Sequence, residues 1–204
     1  MNTKKGFTLL ELLIVIGILA ILSTTIVLVI NPAELLAKAR DSQRISDLNT
    51  LKTAIALFLT ETTGESIGED GYTYSHLAEI NCGEDGDEIF NSGFNSNPSR
   101  IDGNGWVPIN FTKIGNGDSP ISSLPIDPVS DEDKSFYYVY MTDGNNGFKL
   151  IANMESKYYS QSGSGDVVTN DGGVEPELYE TGTNLSIPIK IRNRCYWVYD
   201  ILIT

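Results

Sequence analysis

Apolar residues follow two different rhythms along the first third of the chain. From Phe7 to Ile30 the sequence is almost wholly apolar, broken by small or hydroxyl residues and one acid, Glu11. As a helix these residues would span roughly 36 Å, enough to cross a bilayer core. Strong helix formers follow from Ala33 to Arg40. Ile45, Leu48, Leu51, Ile55 and Phe58 then recur three or four apart, an apolar stripe with polar residues between. That stripe is too short for a coiled coil and fits packing on a sheet. Gly64, after Thr60-Glu61-Thr62-Thr63, supplies a stop, so a helix is predicted from near Phe7 to about Leu59. Pro32 cannot donate to the carbonyl of Leu28 and predicts a bend or local unwinding; Gly17 is a second weak point.

Beyond residue 60 the pattern shortens. Glu61 to Gly105 is rich in Gly, Asn, Asp and Ser, with one short helix or strand expected between Tyr72 and Ile80. Phe136 to Met141 and Phe148 to Met154 flank the turn residues Asp143-Gly144-Asn145-Asn146-Gly147, which predicts an antiparallel hairpin. Ser160 to Gly173 reads as a mobile surface loop, and Ile187–Arg192 and Cys195–Ile203 as terminal strands. The expected fold is α+β, a long N-terminal helix packed on a C-terminal antiparallel sheet. Its segments are 1–6, a leader; 7–30, a membrane helix; 31–60, an amphipathic helix; and 61–204, a globular head.

Charge sharpens this division. Residues 1–60 carry six Lys/Arg and four Asp/Glu, whereas 61–204 carry eight and 23, so the net charge of -13 belongs to the head. Such a surface argues against direct binding of nucleic acid. Lys4 and Lys5 ahead of the apolar run place the N-terminus in the cytoplasm and the head outside. An exported head would allow Cys82 and Cys195 to pair, with two separate buried thiols as the alternative. His76 is the only histidine and is expected on the surface or at a cap. No catalytic motif is present, and no cofactor or metal is expected. Asp127, Asp131, Glu132 and Asp133 are oxygen donors of the kind calcium takes, without a full ligand pattern.

An ordinary secretory signal fails here, because the run is too long and Asn31-Pro32-Ala33-Glu34 leads straight into more helix. A plain signal anchor leaves Glu11 unexplained, since a carboxylate at that depth is costly. Lys5-Gly6-Phe7-Thr8-Leu9-Leu10-Glu11-Leu12-Leu13-Ile14-Val15-Ile16 closely resembles the class III signal of type IV prepilins and pseudopilins. The resemblance implies cleavage after Gly6 by a membrane prepilin peptidase, methylation of the new amine on Phe7, and guidance of subunits by Glu11 during assembly. It also implies a lollipop shape, partial melting of the helix on assembly, and a homopolymer built with an assembly platform, minor pilins and separate ATPases. The precursor would sit in the inner membrane and end in an extracellular filament.

Physics gives Glu11 that role independently. Cleavage creates an ammonium on Phe7, and an opposite charge on a neighbouring subunit offsets the cost of burying either one. The expected function is a type IV pilus subunit serving adhesion, twitching motility or DNA uptake, with a type II secretion or competence-type pseudopilin as the alternative. Leu124-Pro125-Ile126-Asp127-Pro128 before a Tyr-rich strand is similar to pilin-like proteins of secretion systems, some of which hold calcium nearby. An unassembled membrane-anchored binding module leaves the processing motif without a purpose.

Overall fold

The structure, a computed structural model, describes residues 6–70, 72–76, 97–115, 117–130 and 136–188, with backbone alone at 25–30. Met1–Lys5, Cys82, Cys195, Asp131, Glu132, Asp133 and residues 189–203 of the expected terminal strands lie outside the described residues.

Two helices stand where one was predicted. Helix α1 runs Leu9–Ile30 and helix α2 runs Pro32–Glu61. Asn31 separates them in the left-handed region, φ 46° and ψ 78°. Pro32 takes the first position of α2, where its missing N–H costs nothing and its fixed φ suits a helix start. Gly17 sits inside α1 without interrupting it. The side chains of α1 from Leu9 to Leu22 are exposed. Among the described residues no helix is long and apolar enough to cross a membrane.

Four strands follow: β1 Thr73–Ser75, β2 Val139–Thr142, β3 Phe148–Asn153 and β4 Leu178–Gly182, with a 3-10 turn at Phe111–Lys113. They pair antiparallel in the order β1-β2-β3-β4. Tyr140 faces Leu150 across the expected hairpin, and Ile151 faces Glu180 on the far side. The arrangement is the α+β one expected, and it is consistent with a pilin fold.

The helical stripe packs on this sheet as its spacing predicts. Leu48, Leu51, Ile55 and Phe58 are buried against Tyr140, Phe148, Leu150 and Ala152, the inward-facing alternate residues of β2 and β3, and against Tyr138 just ahead of β2. Each such apolar side chain contributes about 1.5–3 kcal/mol when fully buried. Val139, Met141, Ile151, Leu178 and Ile187 form a second apolar cluster on the opposite face. The segment 160–173, expected as a mobile loop, is a series of turns. Asp166 accepts from the backbone N–H groups of Ser162, Val168 and Thr169.

Candidate processing and assembly site

Gly6 and Phe7 precede α1 as exposed, non-helical backbone, and Phe7 is 84% exposed. A peptidase needs accessible chain outside regular structure at the bond it cuts, and Gly6 and Phe7 are both exposed and outside the helix. Thr8 then caps the helix. Its hydroxyl accepts from the Glu11 N–H at 3.2 Å, while Glu11 Oε2 accepts from the Thr8 N–H at 2.9 Å and from the Thr8 hydroxyl at 2.8 Å. This reciprocal capping box satisfies donors that the first helical turn would leave open. It also fixes the one acid of the apolar segment a single turn from Phe7, close to where cleavage would create an amine.

A second cluster joins α2 to the head. Arg44 donates from Nε to Asp127 Oδ2 at 2.6 Å, from Nη2 to Asp127 Oδ1 at 3.0 Å, and from Nη1 to Asp41 Oδ1 at 2.7 Å. All three side chains are closed to solvent. Burial alone would weaken the guanidinium charge, but the hydrogen bonds and charges of Asp127 and Asp41 outweigh it and hold Arg44 above its ordinary value. Asp41 also accepts the N–H groups of Glu155 and Ser156, at 2.9 and 2.7 Å. Arg40 pairs with Glu155, whose carboxyl it holds below the usual range. The result fastens the turn at 124–128 and the loop at 154–160 to one stretch of helix.

Asp127, considered above as a calcium donor, is therefore the buried partner of Arg44 and also accepts from the N–H groups of Val129 and Ser130. Among the described residues no group of three His, Cys, Asp or Glu side chains could hold a metal ion.

His76 corrects an expectation. It is not at the surface: only 5% is exposed, and its ring lies edge-on to Trp106 and Tyr138 with centroids 6.2 and 6.0 Å away. A lone histidine gives no periodic signal of burial, whereas β1 and the aromatic strand beside it create the enclosure. Arg44 and Asp41 did carry a signal. Stepping back from Ile55, Leu51 and Leu48 by the same spacing reaches Arg44, Asp41 and Ala37, all buried. Polar residues in a core phase announce buried pairing.

Residues 1–27 match the family model of the prokaryotic N-terminal methylation motif. No curated protein and no solved structure matches the chain. Proteins carrying the motif are structural subunits rather than enzymes, and the motif implies processing by prepilin peptidase, a membrane-anchored precursor and a pilus-like polymer. Through residues 1–27 the chain bears the prepilin-type N-terminal methylation motif of type IV pilin and pseudopilin precursors.

Proposed function

We propose that the chain is a structural subunit of a type IV pilus, cut after Gly6, methylated on Phe7 and polymerised through α1 into a surface filament. The observation that carries this reading is the union of the N-terminal motif with a helix whose large side chains are exposed from Leu9 to Leu22, between 47% and 82%. Apolar surface of that extent marks an interaction site with lipid or protein. Residues 7–30 sit in the cytoplasmic membrane first, then bundle with identical helices, and the acidic head faces water. Glu11 sets the register by meeting the Phe7 amine of a neighbour, and cleavage gates assembly because the lysines of the leader cannot enter an apolar core.

The test compares wild type with Glu11→Ala by negative-stain microscopy of sheared fibres and by intact mass. The expected result is fibres whose subunit begins at methylated Phe7 in the wild type, and a severe loss of fibres in the variant. Equal fibre yield would remove Glu11 from assembly. A pseudopilin remains the second reading, favoured by the Leu124–Pro128 turn locked to α2 ahead of the Tyr-rich stretch Tyr137–Tyr140 that leads into β2. Absence of long fibres from cells that make the processed subunit would select it.

A further inference from the structure

The end of the head nearest α1 carries chemistry unlike the rest of this acidic chain. Leu35 and Leu36, near the start of α2, are 58% and 59% exposed. Lys38 follows, its Nζ 3.6 Å from the centre of the Tyr158 ring. Tyr158 stands edge-on to Tyr159 at 4.8 Å and is held at this height by its N–H, which donates to Glu34 Oε1 at 3.2 Å. Lys157 beside it is exposed, and Arg40 pairs with Glu155 on the same loop. Asp41 anchors that loop to the helix through two backbone N–H groups.

We propose that this edge rests on anionic lipid headgroups while the precursor is still in the membrane. The inference builds on the reading of α1 as a membrane helix. Along the molecule the order is an apolar rod, then exposed leucines, then tyrosine and lysines, then the acidic head. Water-to-bilayer polarity runs in the same sequence, with aromatic and cationic side chains favoured at headgroup depth. The distances agree. Lys38 stands six helical positions after Pro32, about 9 Å along the axis, and helical side chains lean back toward the N-terminus. One headgroup layer is about 5–8 Å thick. The charges agree also. A head with 23 acids and eight bases beyond residue 60 is repelled by an anionic leaflet, so the cations at its base would hold it upright on the surface.

The experiment places the full-length precursor, one copy per disc, in lipid nanodiscs of phosphatidylcholine alone or mixed with phosphatidylglycerol. Lysines are acylated with a water-soluble reagent and quantified by peptide mass, with Lys113, at the 3-10 turn, as internal reference. Lys38 and Lys157 are expected to react about fivefold more slowly, relative to Lys113, in the anionic discs, with the difference lost in high salt. Equal relative rates in the two discs overturn the proposal. Amide exchange of α1 in the same samples separates the failures. A protected α1 with indifferent lysines defeats this inference alone, whereas an unprotected α1 defeats the membrane reading and this inference together. Slow acylation that requires several copies per disc, whatever the lipid, makes the edge a contact between subunits and also overturns it.

Discussion

Arg44 and Asp127, 83 positions apart in sequence, meet through two parallel hydrogen bonds in a site closed to solvent. The planar guanidinium matches the carboxylate fork, so the pair fixes the orientation as well as the distance of the turn against α2. Asp41 completes the set and in turn holds the loop after β3. Two acids and one base, all closed to solvent, bind three separate stretches of chain.

Removing the cation should therefore be costly. Arg44→Ala leaves Asp41 and Asp127 buried without their shared partner, and is expected to lower stability by about 3–5 kcal/mol. Arg44→Lys should recover only part of that loss, because an ammonium cannot make the bidentate contact. Urea unfolding of the three proteins measures both. A loss below about 1 kcal/mol for Arg44→Ala would show that the cluster does not hold the head on the helix.

His76 makes stability depend on mild acid. Burial pushes its ring down to about 4, against an ordinary 6.5, with the Asp127 charge opposing the shift. Between these values the unfolded chain binds a proton that the folded chain refuses, so stability rises with pH. The contribution is complete above about 6.5 and is lost as pH falls toward about 4, to a total of about 3 kcal/mol. Urea midpoints at pH 4.5 and 7 for wild type and His76→Gln isolate the effect. Burial raises the Asp47 carboxyl, which works in the opposite direction, and the comparison cancels it. Identical pH dependence in both proteins would refute the assignment.

Gly105 has no room for a side chain. An added Cβ would stand 2.0 Å from the Arg100 carbonyl oxygen and 2.9 Å from that of Pro98, which accepts the Trp106 N–H at 2.9 Å. Backbone must move, and the fully buried Trp106 moves with it. Gly105→Ala is expected to cost about 3 kcal/mol or more, beyond the ordinary range of overpacking by one methyl. Thermal unfolding checks it, and an unchanged midpoint would contradict the close approach.

What could be read beforehand divides along the range of the interaction. The motif around Gly6 and Glu11, the stripe from Leu48 to Phe58, and the hairpin through Asp143–Gly147 depend on local spacing, and each was visible. Strand β4 was not, because Leu178-Tyr179-Glu180-Thr181-Gly182 has a buried acid where an apolar residue would be expected. The burial of His76 and the partnership of Asp127 with Arg44 were not legible for the same reason. Their surroundings come from residues more than 50 positions away, and no local period encodes such partners.

The pair that hides β4 supplies the last prediction. Lys149 Nζ donates to Glu180 Oε1 at 2.6 Å, both side chains are fully buried, and their neighbours on that face are Val139, Met141, Ile151 and Leu178. Glu180 Oε2 accepts from the Val174 and Glu175 N–H groups at 2.5 and 3.1 Å. Lys149→Met strands a carboxylate among apolar groups and is expected to cost about 3–5 kcal/mol. Lys149→Met with Glu180→Gln removes both charges yet keeps an acceptor for the two N–H groups, so the double variant should regain at least about half of that loss. A double-mutant cycle by urea unfolding reads the coupling directly. If the two losses simply add, the charges are independent, and the attraction between Lys149 and Glu180 is not what holds β4 against β3.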